Sequence, residues 1–192
     1  MPARLPAVLL AMLALAGCRH EGEDTVPVSE LPKLVLRPAD VPGGLERFDE
    51  GRQARADQPG GERVALDRFG RIDGWKARYR GRDRNGILVL ESRADLFNDD
   101  DGAAEELAQA KASAQGSVEE VAIGDGAFVA TTSQPGFPRP VQVVVLTWRF
   151  RNVVGAVTVN GFRGAVTRAD AVRLARRQQA LIVGVVTSDQ QA

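Results

Sequence analysis

The dipeptide Asn85-Gly86 lies between two runs of alternating polarity, residues 75–83 and 87–96, and no other feature narrows the fold as much. Asn and Gly both accept the positive φ that a two-residue hairpin turn demands, so the pattern predicts a β-hairpin. With those two residues as the turn, Arg84 faces Ile87. One face of the hairpin then carries Trp75, Ala77, Tyr79 and Gly81 against Leu88, Leu90, Ser92 and Leu96, and belongs to a core. The other carries Lys76, Arg78, Arg80, Arg82 and Arg84 against Ile87, Val89, Glu91, Arg93 and Asp95. A longer turn shifts the partners but keeps the two faces, because side chains alternate with period two.

Further elements follow on both sides. Leu34-Val35-Leu36 predicts a first short strand, and residues 38–44, with Pro38, Pro42, Gly43 and Gly44, a turn or single helical turn. Residues 46–63 are charged and broken by Pro59-Gly60-Gly61, which predicts a mobile loop. A helical turn over residues 62–69, stopped by Gly70, comes next. Asn98-Asp99-Asp100-Asp101-Gly102 opens a helix through about Ala114, its acids suited to capping and to the positive helix end. Ile123-Gly124-Asp125-Gly126 turns into a strand at residues 127–132, and a proline-rich loop covers residues 133–140. Residues 141–150 and 153–160 form a second hairpin. Val143, Val144, Val145 and Leu146 make both faces of its first strand apolar, as in a central strand covered by a helix. A closing amphipathic helix spans residues 168–183, with Thr167 and Asp170 as a capping box and Ala171, Leu174, Ala175, Gln178, Leu181 and Ile182 at helical spacing. The fold class is α+β: a mostly antiparallel sheet, in the order β-β-α-β-β-β-α after a short N-terminal strand, with helices on one face.

The N-terminus carries a different message. Arg4 precedes an apolar run over residues 5–15, and Leu15-Ala16-Gly17-Cys18 closes it with small residues and the one cysteine of the chain. This is the order of an export signal, too short to span a bilayer, which needs roughly 20 residues. Leu15-Ala16-Gly17-Cys18 resembles the lipobox of bacterial lipoproteins. That resemblance implies a diacylglyceryl group on the Cys18 thiol, cleavage before it and acylation of the new amino group. Two or three acyl chains, at roughly 0.8 kcal/mol per buried methylene, anchor a protein durably. The division is then a signal peptide over residues 1–17, a lipidated cysteine and acidic tether over 18–32, and one domain over 33–192. The tether carries Glu21, Glu23, Asp24 and Glu30, and residues 19–31 extend at most about 45 Å at ~3.3–3.6 Å per residue. A lipidated Cys18 leaves no cysteine for a disulfide, so packing alone stabilises the domain.

Beyond the lipobox, Trp75, the Ile123-Gly124-Asp125 turn, the paired valine strands and the closing helix resemble small α+β lipoproteins of high-GC Gram-positive bacteria. They are also similar to the extracellular domains of some mycobacterial kinases. The likeness spans about residues 34–183 and implies sensing or binding, with no residue role attached. The location it implies is the outer side of a cell membrane. In an enteric-type envelope, Arg19 after the cysteine does not resemble the Asp that retains lipoproteins at the inner membrane.

Charge and chemistry sort the functions. The chain holds 25 basic and 25 acidic residues; with Arg4 in the leader, the remainder is slightly acidic, which argues against a nucleic-acid binder. The ladder Lys76, Arg78, Arg80, Arg82, Arg84 sets like charges about 6.7 Å apart along a strand, inside a screening length of about 8 Å. Two readings stand: a binding stripe for phosphate- or carboxylate-rich partners, or a solvated face balanced by Glu91, Asp95 and loop acids. Arg dominates the ladder, and its planar fork pairs oxyanions bidentately. Asp99-Asp100-Asp101-Gly102 does not fit an EF-hand, because Phe97 and Ala108 would fall at the first and last ligand positions. His20, the one histidine, lies beside the anchor, so no Ser-His-Asp set or His/Cys metal cluster forms, and phosphate-binding glycine loops are absent. The expectation is a non-enzymatic, membrane-anchored extracytoplasmic binding or accessory module without cofactor. Its partners are the membrane, through Cys18, and an anionic envelope polymer, an amphiphile or an acidic protein. The alternatives are a hydrolase of envelope carbohydrate using two carboxylates, or a structural lipoprotein of an envelope complex.

Overall fold

Alternating polarity becomes sheet in the structure, a computed structural model that describes residues 25–53, 69–81, 86–137 and 139–189. Seven strands form one antiparallel sheet in the order β1-β2-β3-β7-β6-β5-β4. They are β1 Leu45–Arg52, β2 Arg71–Gly81, β3 Ile87–Phe97, β4 Ser117–Glu120, β5 Gly126–Gln134, β6 Val141–Phe150 and β7 Val153–Phe162. Two meanders, β1-β2-β3 and β4-β5-β6-β7, join along β3 and β7. Helix α1, Asp100–Ser113, connects them, and α2, Arg168–Asp189, closes the chain. Ahead of β1, residues 25–44 include the 3-10 turns Val28–Lys33 and Pro38–Asp40.

The α+β class and antiparallel sheet are as expected, and so are the two faces of the first hairpin: Ala77, Tyr79, Leu90 and Ser92 are wholly buried. Its register differs by two residues, with Tyr79 opposite Leu90 and Arg80 opposite Val89, a shift that leaves the faces intact. Four expectations are corrected. Leu34-Val35-Leu36 is no strand; the triplet is buried between the two 3-10 turns. The start of the supposed loop at 46–63 is the edge strand β1, while its later part, with the supposed helical turn up to residue 68, lies outside the described residues. A short edge strand, β4, precedes the Ile123 turn. Finally, the helices do not share a face. Helix α2 buries Ala171, Leu174, Ala175 and Ile182 against one side of the sheet. Helix α1 sets Ala103 on Phe97 and Val154, which point to the other side.

The main core is filled by side chains rather than hollow. Trp148 lies flat over Gly155 on the neighbouring strand, where an added Cβ would come within 2.4 Å of the indole, so no larger residue fits there. The indole Nε1 donates to Gln179 Oε1 at 2.6 Å. A buried polar chain ties three elements together. Leu36 N donates to Ser92 Oγ (2.9 Å), Ser92 Oγ to Gln178 Oε1 (2.7 Å), and Gln178 Nε2 to the Arg93 carbonyl (2.9 Å). The Tyr79 hydroxyl donates to the Leu36 carbonyl at 2.6 Å. The irregular segment before β1 can be buried because its backbone groups are satisfied from β2 and β3. Its start is pinned too: Val26 N donates to Asn152 Oδ1 (3.1 Å) in the β6–β7 turn, and Asn152 Nδ2 to the Phe97 carbonyl (3.0 Å).

The caps behave as the sequence predicts. Asp99 Oδ1 accepts from Gly102 N (2.8 Å) at the start of α1. At the start of α2, Thr167 N and Asp170 Oδ2 (3.0 Å) and Asp170 N and Thr167 Oγ1 (3.2 Å) close the capping box. Burial opposes ionisation of the Asp170 carboxyl, but hydrogen bonds to it from the Thr167 hydroxyl and backbone N and from the Arg173 guanidinium prevail and hold it below its usual range.

Candidate functional site

Two regions of the described surface gather arginines. The first is the outer face of β1, β2 and β3, where the sequence places its basic ladder. Lys76 and Arg78 are half-buried and Arg80 exposed; Arg82, Arg84 and the lipidation candidate Cys18 lie outside the described residues. Each described cation faces a carboxylate on a neighbouring strand. Lys76 Nζ is 3.4 Å from Asp49, Arg78 Nε 2.5 Å from Glu91 and its NH1 3.7 Å from Asp49, and Arg80 NH2 3.8 Å from Glu46. The pairing follows from register: Glu46 lies opposite Arg80, Asp49 opposite Arg78 from one side, and Glu91 opposite Arg78 from the other. Asp95, expected to balance the ladder, instead holds the buried Arg71 (NH2, 2.7 Å) and Arg93 (Nε, 2.9 Å). Partly exposed pairs of the ladder kind contribute roughly 0–1 kcal/mol each. They leave the described part of this stripe close to neutral.

The second region is the groove between residues 30–42 and the outer face of α2. Its centre is Asp40, 7 % exposed. Asp40 Oδ2 accepts from the Arg37 backbone N and Arg37 Nε, both at 3.0 Å, and Oδ1 accepts from Arg177 Nε at 3.1 Å. Burial opposes its ionisation, but the hydrogen bonds from Arg37 and Arg177 prevail and hold its carboxyl below the usual range. One carboxylate therefore faces two guanidiniums, and the cluster keeps one positive charge.

Hollows open on either side of that cluster. A hollow of about 240 Å³ is lined by Asp40, Val41, Pro42, Arg173, Leu174 and Arg177. A larger one, about 480 Å³, has an apolar floor from Pro32, Ala180, Leu181 and Val185 and a rim of Glu30, Lys33 and Arg37, in which Glu30 pairs with Lys33 at 2.6 Å and leaves Arg37 as the cation facing the hollow. The larger lies within the ~300–1,000 Å³ range of small-molecule sites. Sequence reasoning missed this region, since Asp40 and Arg177 are 137 positions apart. The one local signal is the set Arg173, Arg176 and Arg177, which helical spacing puts together on the exposed side of α2.

Asp125 reaches out of its turn to the β6–β7 connection. Its Oδ2 accepts from Arg151 N at 2.8 Å and lies 3.8 Å from Arg149 NH1. Among the described residues, no three or more His, Cys, Asp or Glu side chains are grouped to hold a metal ion, and no helix is long and apolar enough to cross a membrane.

A seven-stranded antiparallel sheet with one helix on each side is an α+β architecture with solved counterparts. The extracellular domain of PknH from Mycobacterium tuberculosis is similar in structure, with a TM-score of 0.56 and 12 % sequence identity over 89 % of this chain and all of that one. At that identity the likeness is one of fold. No protein-family model matches the chain, and no curated protein matches it.

Proposed function

We propose that this chain is an extracytoplasmic binding module held on a bacterial membrane by lipid on Cys18. The observation that carries the reading is the join between anchor and domain. Leu15-Ala16-Gly17-Cys18 is followed, after a stretch that reaches at most about 30 Å, by Val26, buried and bonded to the β6–β7 turn. The anchored end of the domain is then the one bearing that turn and the C-terminal part of α2. The opposite end, with the proline-rich loop and the 94 % exposed Phe137, faces away from the bilayer. The fold shared with an extracellular domain supports a location outside the cytoplasm. Binding is favoured over catalysis because the two most buried carboxylates described, Asp73 and Asp95, each sit against an arginine instead of facing one another across a cleft.

Mass spectrometry of protein extracted from host membranes tests the anchor. The expected N-terminal peptide begins at Cys18 and carries a diacylglyceryl mass, and Cys18→Ala leaves the leader uncleaved. A mature N-terminus elsewhere, without lipid, overturns the reading.

A further inference from the structure

The groove along α2 has the parts of a receptor for a molecule with a charged head and an apolar tail, and three observations bear on it. The Arg37–Asp40–Arg177 cluster holds an uncompensated positive charge. Both arginines contact Asp40 through Nε, which leaves their terminal nitrogens without a carboxylate among the described residues. Fixed by a shared buried carboxylate, two guanidinium forks are preorganised for an oxyanion, with Arg173, itself paired to Asp170 at 2.6 Å, lining the same hollow. From that cluster, the larger hollow continues over Pro32, Ala180, Leu181 and Val185, and Arg37 lies on its rim. In the floor is Gly184, inside a 22-residue helix where glycine is unfavourable, and a Cβ built there meets no heavy atom within 4 Å. Packing within the domain does not require that glycine. Its lack of a side chain keeps the hollow open.

We propose that this groove binds an anionic amphiphile, with its acidic head on Arg37 and Arg177 and its apolar chain along residues 180–185 of α2. The site deepens the binding-module reading by giving it a ligand class, and it does not require the Cys18 lipid. The hollow lies toward the Val26 end of the domain: Trp148, near the β6–β7 turn, donates to Gln179 of α2, and Asn152 in that turn accepts from Val26 N. Anchored through Cys18, the groove stands at the end nearer the bilayer, where such molecules are found.

The test uses the full-length protein in phosphatidylcholine nanodiscs, titrated with dansylaminoundecanoic acid against empty discs. The expected result is saturable binding specific to the protein. Two substitutions should each weaken it at least about tenfold: Arg177→Gln, which leaves the Arg37–Asp40 contacts to support the fold, and Gly184→Leu, which fills the hollow. Asp40→Asn separates a built receptor from diffuse positive charge. Loss of the positioning carboxylate weakens binding in the first case and strengthens it in the second, which overturns the proposal. Inorganic pyrophosphate should compete only weakly, since it lacks the chain. Equal signals from loaded and empty discs, or binding untouched by Gly184→Leu, also overturn it. A missing lipid on Cys18 would refute the anchor and leave this result standing.

Discussion

The outer face of β1–β3 and the groove along α2 are both rich in arginine, yet they differ in how the charge is met. On the sheet, strand register sets each described cation of the ladder beside a carboxylate of its own: Lys76 with Asp49, Arg78 with Glu91, Arg80 with Glu46. Along α2, Arg37 and Arg177 share Asp40. The ladder is the more prominent feature of the sequence, but the groove retains the positive charge. Free charge on a folded surface depends on which carboxylates the topology delivers, and counting arginines along a strand does not reveal it. The two regions differ in depth as well. Ladder pairs are partly exposed and individually worth little, whereas Asp40 is buried and bonded from two directions.

That contrast can be broken by substitution. Asp40→Ala removes a buried carboxylate that accepts three charge-assisted or backbone bonds, and should lower stability by about 2–3 kcal/mol in urea unfolding. Asp49→Ala on the ladder should cost no more than about 1 kcal/mol. Equal costs would erase the distinction. Tyr79 sharpens it from within β2, on the face opposite the ladder. Tyr79→Phe leaves the Leu36 carbonyl buried and unbonded, and should cost about 1–2 kcal/mol.

The two groups also set opposite pH limits. Asp40 has a folded pKa below 3.8, so its stabilisation is complete above the unfolded value and is lost as pH falls through the folded one. Asp40→Asn should flatten the acid limb of a stability–pH profile. Burial, the largest influence on Tyr79, pushes its hydroxyl up to about 12. The unfolded chain then ionises first, near 10, so stability is whole below that pH and fades as pH climbs toward 12. Tyr79→Phe should remove this alkaline loss. The smallest effect is a gain. Gly184→Ala should stabilise the domain by about 0.5–1 kcal/mol, since the new methyl enters open space on a helix.

Much of the sheet was legible because burial on one face forces alternation. Residues 75–97 show their inner and outer faces in the sequence itself, whereas the unbroken apolar run 143–146 marks a strand covered on both faces. The edge strands were not: Leu-Glu-Arg-Phe-Asp-Glu-Gly-Arg in β1 and Ser-Val-Glu-Glu in β4 bury little, and pairing with β2 and β5 defines them. Missing β1 also hid the acids that neutralise the ladder. Leu34-Val35-Leu36 misled in the opposite sense, since its apolarity marked burial without marking strand. Its backbone is satisfied by Ser92 and Tyr79 rather than by a ladder of hydrogen bonds. The Asp40–Arg177 contact spans most of the domain's sequence, and its one local trace is the arginine set Arg173, Arg176 and Arg177.

The most direct test of the account sets the two regions against each other in one assay. Dansylaminoundecanoic acid is titrated into wild type, Arg177→Gln and the double variant Arg78→Gln/Arg80→Gln, each full-length in phosphatidylcholine nanodiscs. The account predicts a loss of about tenfold or more for Arg177→Gln and wild-type affinity for the ladder variant. Loss of binding in the ladder variant with wild-type affinity in Arg177→Gln would contradict it and return the ligand site to β2.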